Sequence, residues 1–195
     1  MNGFKKVHFL VFLFPILVIF FLLLIALLMV NSSSGNPSIM VMVNGFSVPF
    51  ENDVEYTVTS NFGDRINPIT GNKELHDGID LAVAEGTDIV ASLSGVVVET
   101  GYQENGLGNY VYIEHQLNGM IFYTAYGHMA DDSIVVNEGQ MVSAKEKIGV
   151  VGKSGMATGI HLHFSIMSPK LKFDVQNLID PSPIFEYDMR QKLIN

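Results

Sequence analysis

Two short stretches about eighty residues apart hold the residue types of a catalytic metal site: His161-Leu-His163 and His76-Asp-Gly-Ile-Asp80. Alternate residues of a β-strand face the same way, so an H-x-H pair on a strand sends two imidazoles to one side. Residues four apart, as in His76 and Asp80, can converge from a turn or a strand end. Two imidazoles and a carboxylate are three protein ligands, which leave a zinc ion one open position for water. On spacing alone, either imidazole of the H-x-H pair can serve. Of six histidines in the chain, three stand in such settings. The pattern points to an enzyme.

The elements that carry these residues are short and β-like. Ile89-Val-Ala, Gly95-Val-Val-Val, Asn109-Tyr-Val-Tyr-Ile, Met120-Ile-Phe-Tyr-Thr-Ala-Tyr, Ile148-Gly-Val-Val and Ile160-His-Leu-His-Phe-Ser-Ile are rich in β-branched and aromatic residues. Glycine-bearing turns separate them, and Asn118-Gly119 is a strong hairpin signal. The spacing leaves no room for crossover helices, so the fold class is mainly β with antiparallel pairing. Residues 130–136 suggest a single helical turn, and the tail after residue 168 a wrap around the domain that ends in a short helix.

Residues 9–30 are apolar and uncharged for 22 positions, enough to cross a bilayer as one N-terminal transmembrane helix. Lys5 and Lys6 precede them, which places residues 1–8 in the cytoplasm and the remainder outside. The alternative is a cleaved signal peptide, whose apolar region is usually shorter. The expected organisation is a membrane anchor at 9–30, a linker at 31–50, a catalytic domain at 51–168 and an extension at 169–195 that packs on it. Beyond residue 30 there are 9 basic and 20 acidic side chains, a formal charge of −11. Such a surface argues against nucleic acid as a partner. With no cysteine, thiolate zinc sites and cysteine nucleophiles are excluded.

Taken singly, the other histidines are bland. His8 borders the apolar span, His115 reads as structural or exposed, and His128 ends a strand. Together, Thr59-Ser-Asn-Phe-Gly-Asp-Arg65, His76-Asp-Gly-Ile-Asp-Leu81, Gly106-Leu-Gly-Asn-Tyr-Val-Tyr-Ile-Glu-His115, Tyr126-Gly-His-Met129 and Ser154-Gly-Met-Ala-Thr-Gly-Ile-His-Leu-His-Phe164 form an ordered set. The set resembles the lysostaphin-type, LytM-like zinc endopeptidases that cut the peptide part of peptidoglycan. The resemblance implies a LytM-like domain of the duplicated hybrid motif type, with a sheet flooring a narrow, loop-walled groove. It implies one Zn2+ held by His76, Asp80 and His163, with His128 and His161 as uncoordinated catalytic histidines.

Zinc with one anionic protein ligand keeps a net positive charge and lowers the pKa of its bound water. A neutral histidine can take the proton or stabilise the developing oxyanion. No H-E-x-x-H occurs, which excludes the helical glutamate-base design. Tyr126 and Asn109 are substrate-groove candidates, Tyr126 equally a core residue. Arg65 reads as a loop tie to an acidic group, Asp77 as solvated, and Gly78 and Gly159 as close-packing positions. The expected walls are residues 66–75, 99–109, 130–140 and 153–159. Ser165 stands where the family often has glutamate, which leaves the orientation of a ligand histidine open. The partner implied is peptidoglycan, with the membrane held through the N-terminal helix. The competing readings are an inactive LytM-like module that binds peptidoglycan or a partner hydrolase, and a metal-binding adhesion or transport module.

Overall fold

Period-two alternation of apolar residues becomes strand after strand in the computed structural model, which describes residues 45–194. The strands that position the site are β1 (Thr57–Ser60), β2 (Gly63–Ile66), β3 (Lys73–His76), β4 (Ile79–Ala82), β6 (Gly95–Gln103), β7 (Gly108–Leu117), β8 (Met120–Met129) and β11 (Leu162–Met167). Shorter strands are β5 (Asp88–Val90), β9 (Met141–Val142), β10 (Lys147–Val150) and β12 (Leu178–Ile179), and a helix α1 (Ser182–Ile194) follows. The main sheet runs β1-β4-β11-β8-β7-β6-β9, with β12 also on β11; β5 pairs β10 and β2 pairs β3. Every strand pairing described is antiparallel.

Asn118 and Gly119 both take positive φ, 52° and 78°, in the two-residue turn between β7 and β8. That is the handedness a type I′ turn requires, and it matches the twist of the flanking strands. Residues 130–136 form turn and coil with no helical turn.

Strand alternation gives the sheet two different faces. Ile79, Leu81, Val111, Ile113, Phe122, Tyr126, Leu162, Phe164 and Ile166 point to the main core. Asp80, Tyr110, Tyr112, Ala125, His163 and Met167 belong to the other face, which carries the site. Phe46, Val48 and Phe50 pack into the main core, so residues 46–50 are part of the folded domain and not of a linker. Lys145 Nζ donates to the carbonyls of Val48 and Phe50 and pins this strap on the face opposite the site. The C-terminal extension packs through β12 and through Ile184 and Phe185 of α1.

Among the described residues no helix is long and apolar enough to cross a membrane. The expected span at 9–30 lies outside the described residues, as do 1–8 and 31–44.

His115 is buried: its Nδ1–H donates to the Ser94 carbonyl at 3.1 Å, and Nε2 lies 2.7 Å from Thr124 Oγ1. Burial pushes its pKa down to about 4. The unfolded chain binds this proton below about pH 6.5, and the folded chain only below about pH 4. Stability should therefore fall by roughly 3 kcal/mol as pH drops through that window. Thermal denaturation at a series of pH values checks this. The slope should flatten in His115→Gln.

Candidate metal centre and substrate groove

Three ligand atoms meet where β4 and β11 run side by side, with His163 directly opposite Asp80 in the register. His76 Nε2 lies 3.1 Å from Asp80 Oδ1, His163 Nδ1 lies 3.0 Å from the same oxygen, and the two nitrogens are 3.2 Å apart. Ligands on a tetrahedral zinc, with bonds of about 2.0–2.1 Å, stand about 3.3 Å from one another. The three atoms form one face of such a tetrahedron.

The outer hydrogen bonds set the tautomers this requires. His76 Nδ1 donates to the Asn61 carbonyl at 2.8 Å, which leaves Nε2 as a lone pair. His163 Nε2 lies 2.8 Å from Ser165 Oγ and 3.3 Å from Asp77 Oδ1; donation to these acceptors turns Nδ1 to the site. Arg65 holds Asp80 Oδ2 at 3.0 Å, so Oδ1 is presented alone. The same arginine binds Glu74 Oε1 at 2.8 Å and Ser60 Oγ at 2.8 Å. Partners of this kind fix ligand orientation. A looser set of His76, Asp77 and His163 also has ligand atoms within 4.8 Å of one another. The Asp80 triangle is tighter, and it keeps Asp77 as an outer partner of His163.

Asp77 is thus not solvated in the way its sequence position suggests. Its carboxylate turns back to His163, and Ser165 fills the place expected for glutamate. Burial alone would raise the Asp77 pKa, but the hydrogen bond and charge of His163 hold it below the usual range. Burial likewise opposes ionisation of Asp80, and His163 and His76 reverse that and hold it well below the carboxylate range. Burial disfavours charge on His163 too, yet Asp77 and Asp80 push its pKa up to about 9. A metal must therefore displace a proton from this ring.

His128 and His161 stand together above the triangle, ring centroids 4.7 Å apart. His128 Nδ1 donates to the Ser154 carbonyl at 2.8 Å, and His161 Nδ1 to the Gly159 carbonyl at 3.0 Å. Both rings are left with Nε2 as the free acceptor, and His161 Nε2 lies 3.6 Å from Asp80 Oδ1. Burial, followed by the charges of His163 and His161, pushes the His128 pKa down to about 4, so this ring is neutral at pH 7.

His128 has φ 58°, the left-handed region that a non-glycine residue seldom enters. The register between β7 and β8 shifts at the same place, where Asn109 faces Met129 and Val111 faces Tyr126. This bulge reverses the parity of the strand. Tyr126 points into the core while His128, two residues on, points to the groove. Tyr126 is fully buried, and its hydroxyl accepts from Ser92 N–H at 2.9 Å. It is a core residue and not a groove residue. Asn109 is also displaced from that role: its side-chain amide donates to the Met129 carbonyl and to Asp131 Oδ1, and it does not line the groove.

The groove over the site has a volume of about 410 Å³. Asn67, Pro68 and Ile69 of the β2–β3 turn form one wall, and Gln103, Gly106 and Leu107 the opposite one, with Met156 and Thr158 from a third loop. Asn67 stiffens the first wall: its Oδ1 accepts from Ile69 N–H and Thr70 N–H, and its amide donates to Glu74. Residues 130–140 contribute nothing to the lining. Tyr112, on the sheet, and Phe173, from the tail, do. Gly78 is packed tightly, since a Cβ there would lie 2.5 Å from the Phe164 carbonyl and from Ser165 Oγ, and 2.7 Å from His163 Nε2. Gly159 has open space instead, so close packing does not explain it.

Residues 74–177, which include every histidine and carboxylate of the centre, match the model of peptidase family M23. The chain belongs to peptidase family M23. Among M23 relatives, the peptidoglycan DD-endopeptidase ShyA of Vibrio cholerae is 38% identical over 116 residues, 59% of this chain and 26% of ShyA. The catalytic domain of lysostaphin from Staphylococcus simulans superposes with a TM-score of 0.57 at 29% identity, covering 69% of this chain and 94% of that domain. A zinc-containing peptidase from Vibrio cholerae gives 0.57 at 31% identity, over 70% of this chain and 39% of that one. The chain spans about a fifth to a third of the length of the curated relatives it matches. The mainly antiparallel architecture is that of the lysostaphin-type peptidases.

Proposed function

We propose that this M23 chain is a membrane-anchored, extracellular zinc endopeptidase that hydrolyses peptide bonds in peptidoglycan stem peptides or cross-bridges. The observation that carries the reading is the triangle of His76 Nε2, Asp80 Oδ1 and His163 Nδ1, with sides of 3.0 to 3.2 Å. Those three residues would hold the zinc ion. Bound zinc supplies a Lewis acid and lowers the pKa of water toward neutrality. Of His128 and His161, each offering Nε2 as an acceptor, one would take the proton of the attacking water, and a ring protonated at Nε2 can then donate to the oxygen that gains charge. Arg65 and Ser165 keep the ligand atoms aimed. The narrow groove admits an extended peptide and excludes a folded one. Relatives named as peptidoglycan DD-endopeptidases support this substrate class, and the uncharged segment at 9–30 supports the anchor.

Incubation of the zinc-loaded chain with purified peptidoglycan, followed by mass spectrometry of the released muropeptides, tests the reading. Cross-linked species should decline, monomers with new amino and carboxyl ends should accumulate, and a chelator should stop the reaction. An unchanged muropeptide profile with stoichiometric zinc bound would refute it and favour a binding module.

A further inference from the structure

One end of the groove is aromatic and anionic, and the catalytic residues do not use it. Tyr112 on β7 lines this end and lies 5.8 Å, centroid to centroid, from Phe173. On its other side Tyr112 stacks on Tyr110 at 4.6 Å. Phe173 reaches the groove because the extension after β11 folds back over the site face: Leu171 and Leu178 pack on the cluster of Tyr110, Tyr112, Ala125 and Met167. Phe173 itself remains 38% exposed.

Carboxylates surround these rings. Asp77 lines the groove and turns Oδ1 toward His163. Glu99 accepts from the Tyr110 hydroxyl at 2.5 Å. Burial first, then the charges of Tyr110 and Glu99, raises the Tyr112 pKa, so the ring stays a neutral phenol. The nearby cations are committed elsewhere: Lys172 pairs with Asp174 at 2.8 Å, and Arg65 with Glu74 and Asp80. The exposed ring of Phe173, backed by the buried Tyr112 and set in a lining that also holds the Asp77 carboxylate and the Gln103 amide, suits a cation that carries hydrogen-bond donors.

We propose that the Tyr112–Phe173 end of the groove is a subsite for a substrate side chain bearing a primary ammonium group. The inference rests on the reading of the groove as a peptide channel and adds a specificity to it. The extension is then part of the substrate site, with Phe173 as a specificity-determining residue.

The test uses the full, zinc-loaded chain and paired synthetic peptides built around the bond cleaved in peptidoglycan. The members of a pair differ only in lysine against norleucine at a residue flanking that bond. The lysine peptide should be favoured about tenfold in kcat/KM, mostly through KM. Phe173→Leu should bring the ratio near unity by weakening the lysine peptide more than the norleucine peptide, and Phe173→Trp should keep the preference. Equal or better use of norleucine would overturn the proposal, as would equal losses on both peptides in Phe173→Leu. If no peptide is cleaved, the proposed hydrolase function fails. The ratio of the two dissociation constants, read by NMR titration, then still decides the subsite: tighter lysine binding supports it, and equal or weaker binding overturns it.

Discussion

His163→Ala should lose both zinc and peptidoglycan cleavage, whereas His161→Ala should keep zinc and lose only turnover. His163 is the second residue of β11 and His161 stands just before the strand begins, so the contrast separates ligand from catalyst with little else changed. His163 offers Nδ1 at 3.0 Å from Asp80 Oδ1, and its other nitrogen is held by Ser165. Removal leaves two protein ligands where a catalytic zinc site uses three. His161 Nε2 stands 3.6 Å from the same oxygen and its Nδ1 is anchored on the Gly159 carbonyl. Its loss should lower kcat by roughly two to four orders of magnitude, the usual span for a general acid or base. Metal content by mass spectrometry alongside muropeptide release reads both outcomes. Zinc lost in His161→Ala but kept in His163→Ala would mean that the roles are exchanged, and equal loss in both would mean that both rings bind the ion.

Gly78→Ala should damage the centre from behind. The added methyl would meet the Phe164 carbonyl and Ser165 Oγ at 2.5 Å and His163 Nε2 at 2.7 Å. One of these is backbone of the central strand β11, and the other two form the hydrogen bond that orients a ligand. No flexible side-chain end is available to yield. Stability should drop by about 3 kcal/mol, the upper part of the range for overpacking, and zinc should bind more weakly. Gly159→Ala is the control, since nothing lies within 4 Å of its Cβ position. It should change stability by no more than about 0.5 kcal/mol. Denaturant melts and zinc titrations of the pair check both statements.

The extent to which the site was legible in the chain follows from strand periodicity. Parity sends the two imidazoles of the H-x-H pair to one side, but it carries neither Asp80, which meets His163 through the pairing of β4 with β11, nor Ser165, whose contact with His163 appears only in the fold. It failed at His128, where a left-handed residue in a bulge breaks the alternation. Nothing in Tyr-Gly-His-Met announces that φ, so Tyr126 was placed with His128 when it belongs to the core. Asp77 was misread for a related reason: at the end of β3 the chain leaves the strand and no longer alternates. Arg65 was recognisable as an ion-pair residue, but that its partners include a metal-ligand candidate depends on the fold bringing its guanidinium to Asp80. The hairpin at Asn118-Gly119 and most of the long strands could be read directly. The contribution of Phe173 could not, because it depends on how the tail folds back across the sheet.

The central claim is that His76, Asp80 and His163 enclose a single ion. X-ray absorption at the zinc edge of the loaded chain tests it most directly. The account predicts one zinc per chain, four-coordinate, with two imidazole nitrogens and light oxygen ligands at about 2.0–2.1 Å. Asp80→Asn should weaken binding without adding a histidine to the spectrum. A shell with three or four imidazoles, or no stoichiometric zinc, would contradict the account.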